Sequence, residues 1–150
     1  FNNEYLKHRL ACIPIMNETI PIDKNTKKKV FSAFIDMYFE LLNFMKSKFE
    51  KHRDFNIFYK KNLLLKKTNI KLFIKTWHNS ITTLYFNEIM KGDIQYFFNN
   101  VNTIVEAEYL KKYFNYFKEV YVTLDKTLIE YVINLVQKLT KLSFLYYKKE

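Results

Sequence analysis

Glycine and proline are nearly absent from this chain, and their scarcity limits the folds that it can adopt. The 150 residues contain one Gly and two Pro. Hairpin turns and glycine-rich loops need these residues, because Gly adopts left-handed backbone conformations and Pro fixes the turn geometry. The sequence therefore predicts an all-α protein, a single-domain bundle of about five to six helices.

The longest helical pattern lies between Thr103 and Tyr147. Apolar residues recur there in steps of three and four, with no Gly or Pro between them, which is the spacing of one helix face. We expect this stretch to organise the bundle and the rest of the chain to cover it. A single helix over the stretch would be about 67 Å long, too long for a compact domain. Two helices with a break at Asp125 are therefore favoured. The alternative is one coiled-coil helix, because the spacing of the apolar residues continues without interruption across this position.

Helix-capping residues divide the remainder of the chain. The predicted helices are one from Asp23 or Asn25 to about His52, a shorter one capped by Asp54 and covering 55–66, and one covering 70–91. Lys91 followed by Gly92 is the clearest stop signal, because a cation favours the negative helix end and Gly favours its left-handed cap. The third helix is predicted to turn these residues inward: Phe73, Ile74, Trp77, Ile81, Leu84, Tyr85 and Ile89. The residues predicted as core for stability are Phe34, Trp77, Leu128 and Leu135.

Residues 1–23 are predicted to form a short helix followed by an extended connector with both prolines, because the residue before a proline favours extended geometry. Alternatively, this segment is the end of a longer N-terminal region, since the chain begins at Phe1 and not at Met. Cys12 is the single cysteine; it excludes an internal disulfide and is typical of a reducing, intracellular compartment. No uncharged apolar run is long enough to predict a membrane span.

Positive charge is concentrated in one third of the sequence. Residues 1–23, 24–75 and 76–150 carry net charges of −1, +10 and +1. A basic field of this kind attracts polyanions, so nucleic acid or another anionic surface is a candidate partner. The candidate contact residues are Lys24, Lys27, Lys28, Lys29, Lys46, Lys48, Lys51, Arg53, Lys60 and Lys61. Because AT-rich coding also enriches Lys, Asn, Ile, Phe and Tyr, the alternative is a solvated surface without function.

A second candidate surface is aromatic. Tyr109, Tyr113, Tyr116 and Phe117 cover more than one face of a helix, and aromatic residues are frequent anchors of protein interfaces. This pattern predicts a protein partner or self-association. The alternative is a helix buried on two sides within one chain.

Residue patterns for catalysis are not found in the sequence. One Gly excludes phosphate-binding loops, and His8, His52 and His78 lack metal-ligand spacing. The i, i+4 pair of His8 and Cys12 has no orienting third residue. We therefore expect no enzyme activity, no catalytic or metal-binding residue, no cofactor and no small-molecule substrate.

One segment carries a family resemblance. Residues 71–82, KLFIKTWHNSIT, and 86–99, FNEIMKGDIQYFFN, resemble uncharacterised helical proteins of large nucleocytoplasmic DNA viruses. The resemblance implies a viral protein made in the host cytoplasm, with packaging into the virion as one outcome, and it transfers no site residues.

Together these observations predict a non-enzymatic structural or interaction protein, such as a viral particle or assembly component, that acts through the aromatic face. The alternative is non-specific nucleic-acid or anionic-surface binding through the lysine-rich residues 24–75.

Overall fold

The computed structural model describes residues 23–93, 95–96 and 108–148, and the side chains of residues 108 and 109 lie outside this description. The predicted N-terminal helix and connector, His8, Cys12 and the start of the predicted C-terminal pattern also lie outside it. Every regular element within the described ranges is helical, so the predicted all-α class is confirmed. The elements are α1 (Lys24–Lys48), α2 (Arg53–Thr68), α3 (Lys71–Trp77), a π-helix (His78–Thr82), α4 (Thr83–Met90), α5 (Glu108–Tyr121) and α6 (Lys126–Tyr146).

Helix α1 occupies the centre of the bundle. Its buried residues occupy well over half of the helix circumference, and twelve of its 25 residues are buried. A helix with so wide an apolar arc packs against more than one neighbour. Side-chain contacts show that α2, α3 and α6 each pack antiparallel to it: Tyr59 on Asn43, Trp77 on Phe34, and Tyr146 on Phe31. The stretch 103–147, which we expected to be the organising element, instead supplies two of the helices that cover α1.

The middle of α1 joins three other helices at Tyr38. The Tyr38 ring stacks on Tyr113 of α5 at 4.5 Å between centroids and lies 4.7 Å from the Phe73 ring of α3. Its hydroxyl donates a 2.9 Å hydrogen bond to Oδ1 of Asn62 in α2. The Tyr113 hydroxyl donates a 3.1 Å hydrogen bond to the Tyr38 carbonyl oxygen. Both buried phenols are therefore satisfied, as burial of a polar group requires.

A π-helix interrupts the third predicted helix. From Trp77 onward the buried apolar residues are Ile81, Tyr85 and Ile89, which are separated by steps of four only. In a regular α-helix, residues four positions apart differ in direction by about 40° around the helix axis, so repeated steps of four leave one face. The wider turn of the π-helix contains the extra residue and keeps these side chains on one face. The shift in register turns Leu84 outward, where it is 55% exposed. The prediction that Leu84 faces inward was wrong for this reason.

The helix ends follow the predicted chemistry in most places. Gly92 has φ 83°, and the Gly92 and Asp93 amides donate to the Ile89 and Glu88 carbonyls, which is a Schellman cap. The Asp125 carboxylate accepts from the Leu128 amide at 2.9 Å and caps α6, so two helices rather than one form the C-terminal stretch.

The boundary between α1 and α2 differs from the prediction. Helix α1 ends at Lys48 rather than near His52. The imidazole Nδ1 of His52, and not the Asp54 carboxylate, accepts from the Phe55 amide at 3.0 Å. The imidazole nitrogen provides an acceptor at the position that Asp or Ser usually occupies, and α2 begins at Arg53.

Three of the four predicted core residues are fully buried. Phe34, Trp77 and Leu135 are 0% exposed, but Leu128 is only partly buried, against the edge of the core. It lies in the first turn of α6, directly after the solvent-exposed cap, where fewer helices surround it.

The same Leu→Ala change at two positions of α6 tests this difference. We expect Leu135→Ala to lower the free energy of unfolding by about 2–5 kcal/mol, because it leaves a cavity in the packed core. Leu128→Ala should cost about 1 kcal/mol, since water already reaches that side chain. Urea unfolding followed by circular dichroism measures both values. Equal losses would contradict the observed placement of Leu128.

Candidate binding surfaces

The predicted aromatic face lies largely inside the chain. Tyr113 is 0% and Phe117 is 1% exposed, because rings from α1 and α3 cover this side of α5. Trp77 contacts Tyr113 at 6.3 Å and Phe114 at 5.2 Å between ring centroids. Tyr113 and Phe117 are thus core residues of the chain itself, and in this fold they present no surface to a partner. The side chain of Tyr109 lies outside the described residues.

Tyr116 is partly accessible, unlike Tyr113 and Phe117, the two other predicted interface residues whose side chains the structure describes. Its ring fits into a cluster formed by the end of α1 and the start of α2, with centroids 5.3 Å from Phe49, 5.0 Å from Phe55 and 5.3 Å from Phe58. Burial raises the pKa of its hydroxyl, and the Asp54 and Glu119 carboxylates raise it further. The Tyr116 phenol therefore remains protonated at neutral pH.

The cations of the lysine-rich segment, in contrast, lie at the surface. All fourteen cations of residues 24–75 are exposed, and we refer to them as the basic surface. They comprise the ten predicted contact residues together with Lys66, Lys67, Lys71 and Lys75. Of the four acidic residues in this segment, Glu40 turns inward, where its Oε2 accepts a 2.8 Å hydrogen bond from the Tyr131 hydroxyl. The positive charge of the segment therefore faces solvent, together with three exposed carboxylates, those of Asp36, Glu50 and Asp54.

Four lysines of the basic surface also contact aromatic rings of the same chain. The Nζ atoms of Lys27, Lys46, Lys66 and Lys48 lie 4.6, 4.4, 4.7 and 5.8 Å from the ring centroids of Tyr146, Tyr59, Phe39 and Phe44. Cation–π contacts of this kind hold an ammonium group in place while its remaining donors face water. These contacts give part of the basic surface a defined position on the bundle.

The fold arranges the basic surface along the length of α1. Lys24, Lys27, Lys28 and Lys29 lie at the start of α1, next to the end of α6, and Lys46, Lys48, Lys51 and Arg53 lie at its other end. These two groups are about 30 Å apart along the helix axis. Lys66 contacts Phe39 near the middle of α1, so α2 places a cation between the two ends. The cations therefore lie at both ends of α1 and near its middle.

Cations in the first turn of α1 repel the positive end of its helix dipole. The Asp23 carboxylate offsets this repulsion by accepting a 2.7 Å hydrogen bond from the Thr26 amide. That hydrogen bond lowers the pKa of Asp23, so the cap stays ionised. Apart from the contact of Lys27 with the Tyr146 ring, the start of α1 gives no stabilising reason for these lysines.

A polar seam joins the π-helix to α6. Trp77 Nε1 donates a 3.2 Å hydrogen bond to Thr140 Oγ1, and the hydroxyls of Thr82 and Ser143 bond to each other. Thr140 and Ser143 in turn donate to carbonyls of their own helix at 2.8 and 2.9 Å. Each of these buried hydroxyls therefore has a partner, and the seam is explained by packing.

His78 borders this seam. Its ring lies 4.4 Å from the Tyr147 ring, and partial burial lowers its pKa, opposed by a hydrogen bond with the Ser143 backbone. The imidazole is neutral at pH 7 for this reason. It adjoins hydroxyls that already hold hydrogen bonds within the chain, so the geometry does not assemble a nucleophile with a base.

Metal-ligating side chains are dispersed in the part of the chain that the structure describes. No group of three His, Cys, Asp or Glu side chains comes close enough there to hold a metal ion. In the same ranges, none of the helices combines the length and the apolar character that crossing a lipid bilayer requires.

Comparisons with protein-family models, curated proteins and solved structures found no match for this chain. The resemblance of residues 71–82 and 86–99 to viral proteins therefore stays a prediction.

The buried phenol of Tyr113 gives a test of the internal aromatic face. Burial raises its pKa well above 10.0, so the unfolded chain ionises first and stability is lost as the pH rises above about 10. Tyr113→Phe should cost about 1 kcal/mol of stability at pH 7, through loss of the hydrogen bond to Tyr38. It should also reduce the fall in stability between pH 9 and 11, measured by urea unfolding.

Tyr59→Phe, which removes an exposed hydrogen bond, is the control and should change both quantities less. A Tyr113→Phe variant as alkali-sensitive as the wild type would contradict this placement.

Proposed function

We propose that this protein is a non-enzymatic binding protein whose basic surface takes a polyanion, with the phosphate backbone of nucleic acid as the partner. The observation that carries the proposal is that all fourteen cations of residues 24–75 are exposed, while Tyr113 and Phe117 of the predicted aromatic interface pack inside the chain.

Composition and geometry favour backbone contact over base recognition. The basic surface contains thirteen lysines and only Arg53 as arginine, and bidentate reading of guanine is mainly a property of Arg. Lysine acts as a flexible point charge that suits phosphate. The proposed binding is therefore electrostatic and without sequence preference.

Salt dependence is the first test of this function. If about six to ten phosphates are neutralised, affinity should fall by roughly 10³ to 10⁵ between 50 and 200 mM salt. Lys27→Gln/Lys28→Gln/Lys29→Gln should reduce the slope of log affinity against log salt by about 2 to 3. Fluorescence anisotropy with a labelled mixed-sequence DNA duplex measures both effects.

A charge-matched variant distinguishes binding at a local surface from attraction by the net charge of the whole protein. Lys91→Gln/Lys118→Gln/Lys126→Gln removes three exposed lysines outside residues 24–75 and should change the slope by less than half as much. Salt-independent affinity, or equal losses in the two triple variants, would reject the basic surface as the binding site.

A structural or interaction role through protein contacts is the second candidate function. It is favoured by apolar side chains on the outer side of α2, where Ile57, Leu63 and Leu64 are 46%, 38% and 60% exposed. Self-association through these residues would bury apolar area and would depend little on salt. The response of the protein's mass to salt and to nucleic acid therefore distinguishes the two functions.

A further inference from the structure

A groove opens between α2 and α5. It has a volume of about 420 Å³, within the range of roughly 300–1,000 Å³ that small-molecule sites occupy. One wall is a single face of α2, from Asp54 through Phe58 and Lys61 to Leu65, and the other is Lys112 and Tyr116 of α5. Residues three and four positions apart lie on one side of a helix, so each helix turns one continuous strip toward the groove.

The floor of the groove is apolar and firmly held. Phe58 and Leu65 lie seven residues apart on α2 and form this floor, with the half-exposed Ile57 at its edge. The ring packing of Tyr116 fixes the distance between the two helices at one end. Burial and the nearby Asp54 and Glu119 carboxylates raise the pKa of the Tyr116 hydroxyl, which lies at the opposite end of the groove from Lys61.

The rim carries a cation on each side. Lys61 and Lys112 come from opposite walls, both are exposed, and neither has an ion-pair partner within the described part of the chain. Asp54 is the one carboxylate among the lining residues, and it lies about 10 Å along α2 from Lys61.

The direction of the helices brings the two lysines to the same end. Tyr116 contacts Phe55 near the start of α2, whereas Tyr113 and Asn62 both hydrogen-bond to Tyr38. Helix α5 therefore runs antiparallel to α2, and Lys112 lies toward Lys61 and away from Asp54. The lysine end of the groove attracts an anion, and the floor offers apolar surface.

We propose that this groove binds a small amphipathic anion, in which an apolar chain lies on Phe58 and Leu65 and a carboxylate or phosphate head lies between Lys61 and Lys112. The proposal goes beyond the polyanion-binding surface, because it requires apolar area that a nucleic-acid backbone does not use.

Titration of the 150-residue chain with a series of alkyl carboxylates tests the proposal. Isothermal titration calorimetry should show affinity rising from hexanoate to decanoate by roughly three- to fourfold per methylene, the gain expected for each buried CH₂ group. Decanol and acetate should each bind at least tenfold more weakly than decanoate. Decyl phosphate compared with decanoate identifies the preferred head group. Equal affinity for decanol and decanoate, or no dependence on chain length, would overturn the proposal.

Substitutions locate the binding. Lys61→Gln and Lys112→Gln should each weaken decanoate binding about two- to fivefold, the range for a partly exposed ion pair. Ile57→Glu places a negative charge at the edge of the groove and should abolish the binding. Leu84→Glu is the matched control, because Leu84 is similarly exposed but lies on α4, and it should bind decanoate as the wild type does. Equal effects of the two glutamate variants would indicate adsorption of the ligand to apolar surface and would reject the groove.

The two proposals can fail separately. Lys27→Gln/Lys28→Gln/Lys29→Gln removes charges that do not line the groove and should leave decanoate binding unchanged. Ile57→Glu should affect DNA binding only through its one added negative charge, and the loss of affinity should therefore be small.

Discussion

The packing around Tyr38 is the constraint on which the rest of the structure depends. One side chain joins α1 to α5 by ring stacking, to α3 through Phe73 and to α2 through a hydrogen bond to Asn62. Burial of two phenols is favourable only when both hydroxyls are paired, and the positions of Asn62 and of the Tyr38 carbonyl satisfy them. The relative placement of four helices is thus linked to a few polar contacts inside an aromatic core.

This arrangement also determines what the surface offers. Because α1 packs against more than one neighbour, most of the large aromatic residues in the described ranges are turned inward. The lysines on the outer sides of α1, α2 and α3 remain at the surface, because a buried and unpaired ammonium group is strongly disfavoured. The chain thus separates its two unusual components, with rings in the core and cations at the surface. The proposed function rests on the second component.

Local signals predicted the helices well, because they act between residues close in sequence. The cap at Asp125, the stop at Gly92 and the burial of Trp77 and Leu135 follow from periodicity and end chemistry. The outward position of Leu84 does not follow from these signals. The periodicity argument assumes a regular α-helix, and a π-helix changes the register. The central position of α1 was also missed, although its wide apolar arc already indicated more than one neighbour.

The surfaces were harder to predict because they depend on which helices meet. Exposure of the lysines could be expected from their charge, and the structure shows it. Burial of Tyr113 and Phe117 depends on α1 and α3, which lie far away in sequence. The groove was not predicted, because Lys61 and Lys112 come from helices about fifty residues apart. The run Leu63-Leu64-Leu65 was the one local sign, since it is wider than one helix face and leaves Leu64 exposed.

In the proposed function, the chain keeps most of its described aromatic residues in its own core and meets partners through positive charge. Light scattering after size exclusion, at low and high salt and with and without a short DNA duplex, tests it most directly. The account predicts a particle of one chain, 18.4 kDa, that gains the mass of DNA at low salt and loses it at high salt. A dimer or larger species that is unchanged by salt and by DNA would contradict the account and would favour a structural role through apolar contacts.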